Sequence, residues 1–127
     1  MGSLHRFTGE KGDFEWEDVE AEAYDSPGVR AVSVRWLIGP QEGAGHFAMR
    51  YFEIEPGGET PLDSHEHDHG VMVLRGKGRV LVGDDSVDVS FGDMIYVSPR
   101  EEHRFKCLGQ EPFGFLCVIP SKRDTHE

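Results

Sequence analysis

The sequence predicts an all-β fold, a sandwich or closed barrel, on three observations. From Val29 onward apolar residues recur mostly with a period of two, the spacing that puts alternate side chains on one face of a strand. Turn residues interrupt the pattern roughly every 8–12 positions, the rhythm of short antiparallel strands. No segment carries the longer apolar period of a credible long helix.

The elements follow in order. Val32, Val34 and Trp36 alternate with Ser33 and Arg35, a strand that should end at Gly39-Pro40. Residues 47–55 form a second strand, stopped by Pro56-Gly57-Gly58. Segments 71–76, 78–83, 86–92, 94–99, 103–108 and 113–120 complete the set. Gly76-Lys77-Gly78 and Gly83-Asp84-Asp85 read as hairpin connections.

A chain of 127 residues, 37% of them hydrophobic, has room for one domain and one core. Its organisation is an N-terminal arm over 1–28, a barrel over 29–121 and a short tail over 122–127. The arm is polar and acidic, and either pairs with another subunit or stays a loose tail. A net charge of −11 repels phosphate backbones and anionic membrane surfaces, which argues against nucleic acid and membrane as partners. No apolar run approaches the ~18–20 residues of a membrane span. Residues 1–14 lack the apolar centre of a signal peptide, so a cytoplasmic location is expected. In that reducing compartment Cys107 and Cys117 should be free thiols, a disulfide between neighbouring strands being the alternative, and without a CxxC pair they form no zinc knuckle or thioredoxin-like motif.

The chemistry concentrates in Asp63-Ser64-His65-Glu66-His67-Asp68-His69. Four potential ligands stand at every second position, the spacing that turns side chains to one side of an extended chain. His103 follows about three strands later, in a segment reading PREEHRF. Neutral imidazole and carboxylate are the usual donors for first-row divalent ions. His5, His46 and His126 lie outside the cluster and read as surface residues.

PGGETPLDSHEHDHGVMVLRGKG resembles the first cupin motif, G-x5-H-x-H-x3,4-E-x6-G, and GDMIYVSPREEHRF resembles the second, G-x5-P-x-G-x2-H, with a shortened Pro-to-His spacing. The two motifs, in the right order, span about residues 55–107. The resemblance identifies the chain as similar to small single-domain cupins. It implies a double-stranded β-helix, or jelly-roll barrel, with a germin-like metal site inside. It further implies one divalent transition metal (Mn, Fe, Ni or Zn) and a homodimer. Counting back from Gly76 puts His69 where the family carries its metal glutamate. Two registers remain for the preceding pair. In the first, Asp63 and His65 occupy the two histidine positions, which makes the ligands Asp63, His65, His69 and His103. In the second, His65 and His67 are the pair. The first is preferred, because the second leaves only Asp68 to reverse the chain before His69.

Strand parity assigns the pocket. In residues 47–55, Glu53 and Glu55 should face water, which turns Arg50 and Phe52 inward. An inward Arg50 is costly unless it meets an anion such as a substrate carboxylate; the alternative is a side chain that snorkels out at the barrel rim. Phe105 shares the side of His103, and Phe113, Phe115, Cys117 and Ile119 share a face. Phe52, Phe105, Phe115 and Cys117 are therefore expected around the metal with Arg50, and Cys107 as a further wall residue or, alternatively, a buried thiol.

Three histidines and one carboxylate leave up to two positions open on an octahedral ion. A metal-dependent dioxygenase acting on a small organic substrate is therefore the first functional expectation. Isomerase or lyase chemistry and a small-molecule sensor with a non-catalytic metal are the alternatives.

Overall fold

The computed structural model describes residues 2–10 and 12–121; the tail 122–127, and with it His126, lies outside that range. Among the described residues the alternating pattern builds nine strands. These are β1 (Ala21–Ala23), β2 (Arg30–Ile38), β3 (Phe47–Glu59), β4 (His69–Arg75), β5 (Gly78–Val82), β6 (Asp85–Val89), β7 (Met94–Val97), β8 (His103–Cys107) and β9 (Phe113–Pro120). They pair in the order β6-β5-β8-β3-β9-β4-β7, with β2 on β3 and β1 on β2.

Strand β3 is the spine. Its first part pairs with β9 from Phe47↔Pro120 to Ile54↔Phe113, and its last residue pairs with β8 through Glu59↔Lys106. The strand does not stop at Pro56 as its sequence suggests, but bends through Pro56-Gly57-Gly58 and continues in the opposing layer. Gly57 has φ +84°, a backbone state that glycine enters at no steric cost. The sheet thus curls around one apolar cluster that includes Val34, Phe52, Ile54, Val73, Val80, Phe113 and Phe115. This is the expected jelly-roll architecture.

One connection differs from expectation. Gly83-Asp84 does turn a hairpin, with Val82 opposite Asp85. Gly76-Lys77 does not, because β4 pairs with β7 and β9 whereas β5 pairs with β6 and β8. The glycines carry the chain from one layer to the other. Turn chemistry marks where a chain reverses, not which neighbour it joins.

Glu53 also departs from its expected place. It is 8% exposed because the N-terminal arm covers the outer face of β3. Phe14 stacks on Tyr51 at 5.3 Å, Trp16 packs against the same ring at 5.3 Å, and Arg35 Nη2 donates to Glu15 at 2.9 Å. Beneath this cover the Tyr51 hydroxyl donates to Glu53 at 3.0 Å and Arg75 Nη1 donates to the same oxygen at 2.8 Å. Burial pushes the Tyr51 phenol far above its ordinary pKa. A buried carboxylate without such partners would cost several kcal/mol, so the trio holds together or not at all. Gly114 makes it possible, since a Cβ there would overlap the Tyr51 hydroxyl.

Both cysteines are free thiols. No helix among the described residues is long and apolar enough to cross a membrane.

The arm is fastened at its start by His5, which is no ordinary surface residue. Its Nδ1 lies 3.0 Å from the Glu17 carbonyl and its Nε2 lies 2.9 Å from Glu42 Oε2. Both partners only accept, so the imidazolium satisfies both. The Glu42 bond raises the His5 pKa above 6.5, and the same bond lowers that of Glu42 below 4.5. A raised histidine stabilises fully below its unfolded pKa and loses that stability as pH rises through its folded pKa. The lowered Glu42 does the reverse, losing its share as pH falls through its folded pKa. We therefore expect the arm to be held most firmly between about pH 4.5 and 6.5 and to loosen above neutrality. Trp16 fluorescence followed against pH should report that loosening, and His5→Asn should abolish the pH dependence above pH 6.

Candidate metal centre

The site is built where β3 runs out. Past Glu59 the chain stays extended beside β8: Thr60 N donates to the Phe105 carbonyl, and Phe105 N donates to Thr60 Oγ1 at 2.9 Å. Asp63 and His103 then exchange reciprocal backbone bonds of 3.1 and 2.9 Å. Two residues later the His65 carbonyl accepts from Arg100 N, and Arg100 sits in the left-handed region at φ +63°. His69 opens β4 opposite Val97.

These anchors bring His65, His69 and His103 together. Each is about 95% buried, and each offers a ligand atom within 4.8 Å of the others. Metal–nitrogen bonds of about 2.0–2.1 Å place two nitrogens on one ion no more than about 4.2 Å apart. The triad is therefore within a small side-chain rotation of a metal-binding arrangement, and its donor chemistry suits a first-row divalent ion. His103 Nδ1 donates to the Glu101 carbonyl at 3.0 Å, which leaves Nε2 as the nitrogen free of that bond.

The two residues that distinguish the registers lie differently. Asp63 Oδ2 is 3.7 Å from His65 Nε2, on a side chain still 36% exposed. Its other oxygen accepts from Ser64 N at 2.9 Å. His67 occupies the bend before β4, but its side chain is buried rather than solvated. It stacks on His65 at 4.9 Å and on His69 at 4.8 Å, outside the group whose ligand atoms converge.

A cavity opens beside the triad. Its lining includes Asp63, Arg50, Phe52, Phe105, Phe115 and Cys117. Phe115 stacks between Phe105 at 4.7 Å and Phe52 at 5.5 Å, an apolar floor. Arg50 does not snorkel to the rim. It is 2% exposed, with its guanidinium 4.8 Å from the Phe52 ring and 5.3 Å from Trp36. Its Nη2 donates to Cys117 Sγ at 3.8 Å, and the same sulfur lies 3.6 Å from His69 Nδ1. Cys107 is not in this wall. Its thiol donates to the Glu111 carbonyl at 3.2 Å, and burial raises its pKa.

Tyr24, Thr60 and Pro61 also line the cavity, and none follows from strand parity. Tyr24 comes from the arm and meets Phe52 edge-on at 5.3 Å. An aromatic residue with no place in the alternating pattern was the available signal. Thr60 and Pro61 were legible only as near neighbours of Asp63.

A family model described as Cupin domain matches residues 50–119. A 1-methylthio-D-xylulose 5-phosphate methylsulfurylase from Rhodospirillum rubrum is 34% identical over 114 residues, 87% of this chain and 72% of that protein. A cupin 2 conserved barrel domain protein from Rhodopseudomonas palustris superposes with a TM-score of 0.84 at 33% identity, covering 96% of this chain and 83% of that one. A polyketide cyclase from Streptomyces resistomycificus does so with a TM-score of 0.79 at 33% identity, covering 84% and 76%.

Protein purified without added metal should carry about one first-row divalent ion per chain, measured by elemental analysis. His65→Ala combined with His103→Ala should abolish it, since two lost ligands leave an incomplete shell. Full occupancy in that variant would mean the ion sits elsewhere.

Proposed function

The chain belongs to the cupin domain family, and from that premise we propose that it is a metal-dependent enzyme acting on a small organic molecule that carries an anionic group. The observation that carries this reading is the placement of a buried arginine and three buried, convergent imidazoles around one cavity. A guanidinium in the cavity wall can take a substrate carboxylate or phosphate in bidentate form.

His65, His69 and His103 would hold the ion, with Asp63 as the fourth donor. A bound ion of this kind supplies Lewis acidity and open coordination positions. The protein's own residues do the rest. Arg50 orients the anionic end of the substrate. Phe52, Phe105 and Phe115 exclude water and so strengthen every charge interaction inside. The Asp63 carboxylate moderates the charge at the centre. Two of the three named relatives carry enzyme names, a methylsulfurylase and a cyclase, which favours catalysis over sensing. None of the three is named as an oxygenase, so polarisation of a substrate oxygen is the preferred chemistry. Dioxygenase chemistry is a second reading, resting on the two positions that three histidines and one carboxylate leave open.

Turnover of small carboxylates and sugar phosphates by metal-loaded protein separates these readings. Activity that persists without oxygen supports the first, activity that demands oxygen moves the assignment to the second, and no metal-dependent turnover of any such compound counts against both.

Arg50→Met should weaken binding of small carboxylates or inorganic phosphate by about 10- to 100-fold, the loss of one charge-assisted contact, while neutral analogues change little. Equal losses for both classes would remove Arg50 from substrate recognition. For the ligand shell, Asp63→Ala should lower metal affinity in a chelator competition more than His67→Ala does. The reverse order would make His65 and His67 the ligand pair.

A further inference from the structure

We propose that Cys117 is the positioning residue for His69, accepting a hydrogen bond from its Nδ1–H so that Nε2 is presented to the ion. This rests on the metal-site reading above and adds a residue to it.

An imidazole binds a metal through an unprotonated nitrogen, so the other ring nitrogen must keep the proton and needs an acceptor. His103 meets this need in the ordinary way, its Nδ1 donating to the Glu101 carbonyl at 3.0 Å. At His69 the group 3.6 Å from Nδ1 is the Cys117 sulfur. A thiol can donate or accept, so geometry at His69 alone leaves the direction open. Guanidinium is donor only, and Arg50 Nη2 approaches the same sulfur at 3.8 Å. Ligation of the ion through Nε2 would leave the proton on Nδ1 and make the sulfur its acceptor, and a lone pair of the same sulfur faces the Arg50 donor.

The register supports the arrangement. Cys117 pairs across the sheet with Arg50 on one side and Val71 on the other, so neighbouring strands hold sulfur, guanidinium and the start of β4 in fixed relation. All three side chains are at least 95% buried, which removes water as a competing acceptor. Cys117 touches neither substrate nor ion in this role and acts only through His69.

The test uses cobalt(II) as the metal, with affinity measured by chelator competition and the site read from the visible spectrum. Cys117→Val keeps the volume and removes the acceptor; Cys117→Ser keeps an acceptor. The valine variant should bind cobalt about 10- to 100-fold more weakly, the usual effect of losing a partner behind a ligand, with a shifted visible band. The serine variant should recover most of the affinity and the parent band, and thermal melts should show all three proteins folded. Wild-type affinity in a folded valine variant would overturn the proposal while leaving the metal site intact. A sulfur-to-cobalt charge-transfer band in the wild type would also overturn it, by making Cys117 a ligand. If wild-type protein bound no cobalt at all, the metal-site reading itself would fall.

Discussion

The reciprocal backbone bonds between Asp63 and His103 are the constraint on which the rest of the site depends. They carry the pairing of β3 with β8 past the end of β3, as an isolated bridge between Asp63 and His103. Without them the loop from Thr60 to Asp68 would have no fixed distance from β8, and His65 would have no fixed distance from His103. The bond from Arg100 N to the His65 carbonyl secures the same loop two residues on. Loop-closure entropy is the opposing term, and it is small enough that a few well-placed backbone bonds overcome it.

What those bonds hold is costly. Four imidazoles, His65, His67, His69 and His103, are buried within one cluster of rings, and a buried polar group must find a partner or lose about 1–3 kcal/mol. The outer face of the same sheet solves a similar problem with the trio Tyr51, Glu53 and Arg75 under the arm. The comparison is instructive. On the outer face Glu53 is matched by Tyr51 and Arg75, whereas the cavity gathers imidazoles, an arginine and the Asp63 carboxylate around an open space. Stability accounts for the first arrangement. The second is the arrangement that the proposed ion and anionic substrate would use.

Much of this was legible in the chain. The strands from β2 to β9 could be read because period two survives wherever one face is buried and the other is not. The positions of Phe52, Phe105, Phe115 and Cys117 around the cavity follow the same parity. Glu53 was misplaced for a physical reason: parity tells which side of a strand a residue is on, not whether that side is wet, and the arm that covers it lies about 40 residues away in sequence. Gly76-Lys77 was misread as a hairpin because glycine signals a reversal without naming the new neighbour. Tyr24 could not be placed, because its partner Phe52 lies on a strand reached only through the tertiary fold. His67 stands at the bend that the preferred register implies, but its burial was not legible, since stacking between two buried rings is no property of a turn.

The central claim is that one divalent ion sits among His65, His69 and His103, facing Arg50 across the cavity. Crystals loaded with manganese or cobalt, with diffraction measured on either side of the metal's absorption edge, test it directly. The account predicts a single strong anomalous peak per chain within coordination distance of all three histidine rings. A crystal with no peak there, or with its principal peak in the acidic groove beside Asp18, Glu20 and Glu42, would contradict it.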